Sequence, residues 1–231
     1  MKAVILAAGR ATRLLPLTKT TPQCLLSINN KKILERQIEL LKKGEVDDIV
    51  VVTGHLSNQI EDFCKKKKVK TIFNPFYEVS GMAMSLWIAK EELKDGFLFL
   101  YSDILFDYGI IKNLIANKEN TCLAIKKNGL REEAEKVIEK DGIVEDISKI
   151  NTGKKNGEFI GLAKFSKAGA ERLLDELNKF AKEDLNTRFI QLVENIISKG
   201  NTVAAYNIEK KRFIDIDFLE DLDKARRIFK D

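Results

Sequence analysis

Apolar runs and helical periodicities alternate along the chain. Residues 3–7 form an unbroken apolar run, the pattern of a strand buried on both faces. Next, Leu34, Ile38 and Leu41 recur at i, i+4 and i+7, with Ile33 and Leu40 beside that face, which predicts a helix over 33–41. Residues 48–53 are dense in β-branched side chains and read as a strand; 56–66 read as a helix, 69–73 as a strand, 82–93 as a helix and 97–101 as a strand. Strand–helix–strand repetition predicts βαβ units, hence an α/β fold with a Rossmann-like, mixed but mainly parallel sheet flanked by helices. Ligands of such sheets bind outside the carboxyl ends of the strands, so the residues that follow 7 and 101 face one common site.

Beyond residues 110–116 the pattern changes. Short strands are predicted at 121–126, 136–139 and 143–148, with Asp141-Gly142 as a hairpin turn. Residues 158–165 read as a further strand, 167–182 and 187–198 as amphipathic helices, 202–208 and 212–216 as strands, and 219–229 as a closing helix. The short strands suggest a small antiparallel flap over the site. No repeat or low-complexity tract divides the chain, and 151–156 read as a loop tip. A single domain over 1–231 is therefore expected, with 1–118 serving mainly one ligand and 119–231 mainly a second ligand and the closing elements.

Composition narrows the function classes. Hydrophobic residues make up 44% of the 231 and charged ones 32%, enough for both a core and a soluble surface. No apolar stretch nears the ~20 residues that span a bilayer, and the apolar start is too short for a signal peptide. Cys24, Cys64 and Cys122 are scattered without metal-ligand spacing, which favours a reducing cytoplasm. The net charge of +5 sits partly in Lys65–Lys68, a solvated helix end rather than a nucleic-acid patch, though a positive field helps to attract anions. His55, the one histidine, has no Ser-His-Asp arrangement around it, and Gly9 has no G-x-G-x-x-G continuation.

Four segments carry candidate chemistry. After the first strand, Leu6-Ala-Ala-Gly9 opens a small-residue loop that ends in Arg13. Small side chains let backbone N–H groups approach a ligand, and a guanidinium suits a polyphosphate. Asp103 follows the apolar run 97–101, where it reads either as a turn cap or as an oxygen ligand for a hard divalent cation. Asp215 and Asp217 alternate with Ile214 and Ile216, which puts both carboxylates on one face of a strand; read as residues alone, they fit equally well a solvated strand end before a helix. Finally, the Ser80–Ser85 segment can read a nucleobase through backbone groups and a hydroxyl, or simply cap a helix.

Taken together, these segments resemble the nucleotidyltransferases that couple an NTP to a sugar-1-phosphate or a phospho-alcohol. Leu6-Ala-Ala-Gly9, Thr12-Arg-Leu14, Pro16-Leu-Thr18 and Pro22 with Leu25 match the signature L-A-A-G-x-G-T-R-L-x-P-L-T and P-K-x-L. Phe213-Ile-Asp-Ile-Asp217 with Glu220-Asp-Leu222 is similar to the family's W-x-D-I-D-T-P-E-D-L ending. Asn74-Pro-Phe-Tyr77, Ser80 and Ser85-Leu-Trp87 resemble the branch of phosphocholine, inositol-phosphate and aminoethylphosphonate cytidylyltransferases. The resemblance implies a nucleotide-diphospho-sugar transferase type of fold and an NTP, CTP in this branch, joined to a small phosphorylated acceptor with release of pyrophosphate. It implies Mg²⁺ on Asp103 and Asp217, and catalytic roles for Arg13 and for Gln23. Nucleotide contacts are implied for Leu6, Ala7, Ala8, Gly9, Ala11, Thr12, Gly81, Ser85 and Ser102, and acceptor contacts for Glu158, Gly161 and Asp215.

Two departures stand out: Ala11 replaces the second glycine of the signature, and Gln23 replaces a lysine that in the family contacts the α-phosphate. Lys19, on the same loop, is a candidate substitute for that charge. Two alternatives therefore stay open: a sugar-1-phosphate nucleotidyltransferase using UTP, dTTP or GTP, and a catalytically weakened nucleotide-binding homologue. Nucleic acid and membrane are not expected partners, and a homodimer is compatible with the sequence.

Overall fold

The computed structural model describes residues 1–148 and 155–230. In chain order the elements are β1 (Lys2–Ala7), the hairpin β2 (Ser27–Ile28) and β3 (Lys31–Lys32), α1 (Ile33–Lys43), β4 (Ile49–Thr53), α2 (Ser57–Lys67), β5 (Lys70–Phe73), α3 (Met82–Ile88), β6 (Phe97–Tyr101), β7 (Ile104–Phe106), α4 (Tyr108–Ala116) and β8 (Thr121–Lys126). They continue with β9 (Lys136–Lys140), β10 (Ile143–Ser148), β11 (Gly157–Phe165), α5 (Lys167–Glu183), α6 (Phe189–Ser198), β12 (Ala204–Asn207), β13 (Phe213–Asp215) and α7 (Leu219–Ile228).

Nine strands form one sheet in the order β5-β4-β1-β6-β11-β8-β12-β10-β9. The first four are parallel: Ala3 to Ala7 pair with Ile49 to Thr53, and Lys2 to Leu6 with Phe97 to Tyr101. β11 enters antiparallel to β6 and β8, while β12 lies parallel to β8. The mixed α/β class expected from the sequence is thus present. Because β1 is covered on both sides, its alternate side chains feed two cores. Ala3, Ile5 and Ala7 join one with Leu34, Ile38 and Leu41 of α1; Val4 and Leu6 join the other, with Leu86 of α3 and Phe189 of α6. A third, smaller core sets Leu14 and Ile28 against Ile214, Ile216 and Leu222. That core ties the loop after β1 to the segment that carries Asp215 and Asp217.

The predicted flap takes a different form. The β9–β10 hairpin is the far edge of the main sheet, joined to it by β10–β12 and by a β11–β9 pairing. Short strands gain backbone partners by extending a sheet, and partner choice is not visible in local patterning. The Asp141-Gly142 turn does form, with φ of 51° and 83°, the positive values that a two-residue turn of this hand needs. The predicted strand over 212–216 is also placed elsewhere: β13 pairs only with β7, in a separate two-stranded sheet. The helix predicted over 82–93 ends at Ile88, with one 3₁₀ turn at Lys90–Glu92. Of the predicted loop tip, 151–154 lie outside the described residues. Among the described residues no helix is long and apolar enough to cross a membrane, and all three cysteines are free and buried.

Candidate active site

A cavity of about 530 Å³ opens at the carboxyl ends of β1 and β6. Leu6, Ala7, Ala8 and Gly9 form one wall, continued by Arg13 and Gln23. No atom lies within 4 Å of where a Cβ on Gly9 would be, so this corner of the wall is open to a ligand. Gly54 packs under the loop, where a Cβ would meet the Ala8 carbonyl at 2.6 Å, and the His55 N–H donates to that carbonyl at 3.1 Å. His55 thus has a loop-bracing role.

The base-side wall comes from the segment between β5 and α3. Buried Asn74 accepts from the Phe76 N–H at 2.8 Å and donates to the Ser85 hydroxyl at 3.0 Å, which aims Ser85 along the cavity. Gly81 also lines the cavity, but its N–H is committed to the Leu185 carbonyl at 2.7 Å. A Cβ there would meet the Thr187 and Asn186 carbonyls at 2.5 and 2.6 Å. Glycine at 81 therefore permits the close seating of α3 on the α5–α6 connection, and its amide is not available to read a base.

Three aspartates converge at the floor. Asp103 follows β6, and its backbone carbonyl accepts from the Ile216 N–H at 3.0 Å, which fixes it beside β13. Asp217 pairs with Arg13 at 2.7 Å, and Asp215 with Arg131 at 3.0 Å. Arg131 also reaches Glu158 at 3.4 Å and lies 3.9 Å from Asp217. Three carboxylates thus share two guanidiniums, and Asp103 beside them pairs with neither. Burial first, then the fields of Asp215 and Asp217, hold the Asp103 carboxyl well above its ordinary range. Burial and Asp217 push Asp215 up to about 6, against the opposing pull of Arg131. Burial opposes the Arg131 charge, yet Asp215 and Glu158 outweigh it and raise its pKa. One oxygen each of Asp103 and Asp215 is buried without a hydrogen-bond partner. Such a centre lacks positive charge.

Most of the residues singled out from the sequence meet here: Leu6 to Gly9, Arg13, Gln23, Gly81, Ser85, Ser102, Asp103, Gly161, Asp215 and Asp217 all line the cavity. Three do not. Ala11 sits behind the wall in the left-handed region, φ 47°, with its carbonyl accepting from the Thr18 hydroxyl at 2.8 Å. An alanine thereby holds a positive φ that a glycine would adopt without strain. Thr12 begins the short turn Thr12–Leu14 that delivers Arg13. Glu158 is fully buried rather than at the wall; its oxygens take the Arg131 backbone N–H at 2.8 Å and its Nε, so it positions Arg131 instead of touching a ligand. Lys19 is likewise not among the cavity residues.

Gln23 donates its amide to the carbonyl of Ile216, between the two aspartates, and so latches the signature loop to that segment. Gly161, φ 77°, lies over the Tyr101 ring, which a Cβ would meet at 2.6 Å; the break in β11 pairing there lets the strand clear the ring. Residues that local reading misses also line the cavity. Arg131 is the chief one, with Tyr101, whose hydroxyl donates to Glu135 at 3.0 Å, and Arg188 at the start of α6.

A family model for the MobA-like NTP transferase domain matches residues 3–196. The chain belongs to that family. Within this NTP transferase family it is similar to the choline-phosphate cytidylyltransferase of Streptococcus pneumoniae, 30% identical over 237 residues that cover all of this chain and 99% of that protein. It is also similar to the CTP:phosphoglutamine cytidylyltransferase of Campylobacter jejuni, 28% identical over 254 residues, 96% of this chain and 98% of that one. The solved CTP:phosphocholine cytidylyltransferase of Streptococcus pneumoniae superposes with a TM-score of 0.85 at 28% identity, over 99% of each chain. The inositol-1-phosphate CTP transferase of T. maritima shares the fold, TM-score 0.85 at 17% identity.

Proposed function

We propose that this NTP transferase joins CTP to a small phosphorylated alcohol or a similar acceptor and releases pyrophosphate. The observation that carries the reading is the pairing of both Arg13 and Arg131 with one aspartate cluster, in a cavity whose remaining wall suits a nucleoside. End-to-end similarity to two cytidylyltransferases supports CTP over UTP, dTTP or GTP.

An oxygen of the acceptor phosphate attacks the α-phosphorus in line. A new P–O bond forms as the bond to the β-phosphate oxygen breaks, and pyrophosphate leaves with that electron pair. This reaction needs positioning and charge neutralisation rather than a protein nucleophile. Leu6 to Gly9 and Ser85 hold base and ribose. Arg13 leaves Asp217 for the departing β,γ-phosphates, a better partner for a guanidinium than one carboxylate. Arg131, kept charged by Asp215 and Glu158, receives the acceptor phosphate.

The donor set also fits Mg²⁺, which takes oxygen ligands and completes its shell with water and substrate phosphates rather than a full protein cage. Among the described residues no group of three acidic, His or Cys side chains forms such a cage, while an unpartnered Asp103 oxygen remains. Asp103 and Asp217 would hold the ion, which would neutralise phosphate charge.

Pyrophosphate release measured for four NTPs against phosphocholine, phosphoethanolamine, inositol phosphate and glucose-1-phosphate tests the proposal. CTP with a non-sugar acceptor is the expected best pair. A preference for another NTP with glucose-1-phosphate would replace the proposal with the sugar-nucleotide reading, and nucleotide binding without turnover would replace it with the weakened homologue.

A further inference from the structure

The apolar face of α1 contains one polar residue. Gln37 falls between Leu34, Ile38 and Leu41 and is 1% exposed, a place where burying an amide costs stability unless it is hydrogen-bonded. An aliphatic side chain would fill that position without such a cost. The Gln37 Nε2 donates to two carbonyls, those of Tyr101 and Ile104, both at 2.9 Å, while its Oε1 has no partner. These carbonyls bracket Ser102 and Asp103, where the chain leaves β6 of the main sheet and enters β7 of the small one. The Asp103 carbonyl between them is held by the Ile216 N–H. Three donors from outside the strand thus hold three backbone carbonyls within residues 101–104, and two of the three bonds come from one side chain.

We propose that Gln37 is the positioning residue of Asp103, fixing the backbone on both sides of it so that its carboxylate meets those of Asp215 and Asp217. Gln37 lies outside the lining of the reaction cavity. The inference rests on the reading of Asp103 as part of the reaction centre. Groups that orient metal ligands from behind typically change metal affinity by about 10- to 100-fold when removed.

Calorimetric titration of CTP with and without Mg²⁺, on the wild type, Gln37→Met and Gln37→Glu, tests it without an acceptor. Methionine keeps the volume and removes the donors; glutamate sets a carboxylate against the two carbonyls. Both variants are expected to fold and to bind CTP alone as the wild type does, because the nucleotide wall is elsewhere. Both should lose most of the tightening that Mg²⁺ gives the wild type, about tenfold or more. Unchanged Mg²⁺-dependent tightening in folded variants would overturn the positioning role. Failure of both variants to fold would also overturn it, since the amide would then serve the scaffold. A wild type that binds no CTP would instead overturn the nucleotide reading on which the inference stands.

Discussion

The two arginines of the cavity sit in contrasting surroundings. Arg13 is 45% exposed and meets one carboxylate; Arg131 is 31% exposed and meets three, one of them fully buried. The first is therefore easily released to a ligand, since exposed ion pairs are worth only about 0–1 kcal/mol. The second is built in. Removing it strands a buried Glu158 carboxylate, and an uncompensated buried charge costs about 3–5 kcal/mol. The contrast suits two different tasks. A cation that must follow the departing phosphates gains from a loose pairing on a loop, whereas one that sets the position of an incoming nucleophile gains from being fixed.

The largest expected effect would show what lies between them. Asp103→Asn and Asp217→Asn should each lower the pyrophosphate-release rate by about a thousandfold or more, as loss of charge stabilisation at the reacting phosphates implies. Melting curves should show folded protein in both cases. Near-normal turnover in either variant would remove that carboxylate from the centre.

Next comes Arg131→Met. It should lose about 3 kcal/mol of stability in urea unfolding and about a hundredfold in turnover. Adding Glu158→Gln removes the stranded charge and should restore much of the stability but none of the turnover. If turnover returned with stability, Arg131 would be a scaffold residue and the contrast would fail.

Arg13→Ala should leave stability within about 0.5 kcal/mol of the wild type and raise the CTP dissociation constant by about 10- to 100-fold through the lost charge-assisted contact. Cytidine affinity should not change. Equal losses for CTP and cytidine would show that Arg13 does not read the polyphosphate.

The smallest effect belongs to Gln23→Lys. Lysine can still donate to the Ile216 carbonyl, so the latch survives, and it adds a cation beside the signature loop. Turnover should rise by about threefold with little change in CTP affinity, because the added charge acts mainly as negative charge shifts during attack. A lower turnover would mean that the site is adapted to the neutral amide.

The same contrast runs through what the sequence discloses. Arg13 sits in a motif read within a few residues, and the strand before it is marked by an unbroken apolar run. Arg131 lies in an aperiodic segment, and its partners Glu158 and Asp215 are 27 and 84 positions away, so nothing local marks it. Glu158 shows the complementary failure. The family resemblance implies an acceptor contact for it, whereas the pairing of β11 with β8 and β9 leaves it buried beneath Arg131. The parallel half of the sheet is legible because β1, β4 and β6 are unbroken apolar or β-branched runs, with helices between successive parallel strands. β7, three residues long, is too short for a period to register, and both the pairing of β13 with it and the hairpin's attachment to the sheet edge depend on distant partners. Gln37 did leave a trace, a lone amide on an apolar helix face, whose meaning required the carbonyls it binds.

The account as a whole stands on one claim: two phosphates, one from each side of the cavity, are joined over the aspartates. Phosphorus NMR of CTP with the preferred acceptor, Mg²⁺ and the wild-type protein reads this directly. The account predicts a pyrophosphate resonance growing in step with the two coupled doublets of an unsymmetrical diphosphate diester, as CTP and acceptor disappear together. Growth of orthophosphate, or loss of CTP with the acceptor untouched, would mean hydrolysis and would contradict it.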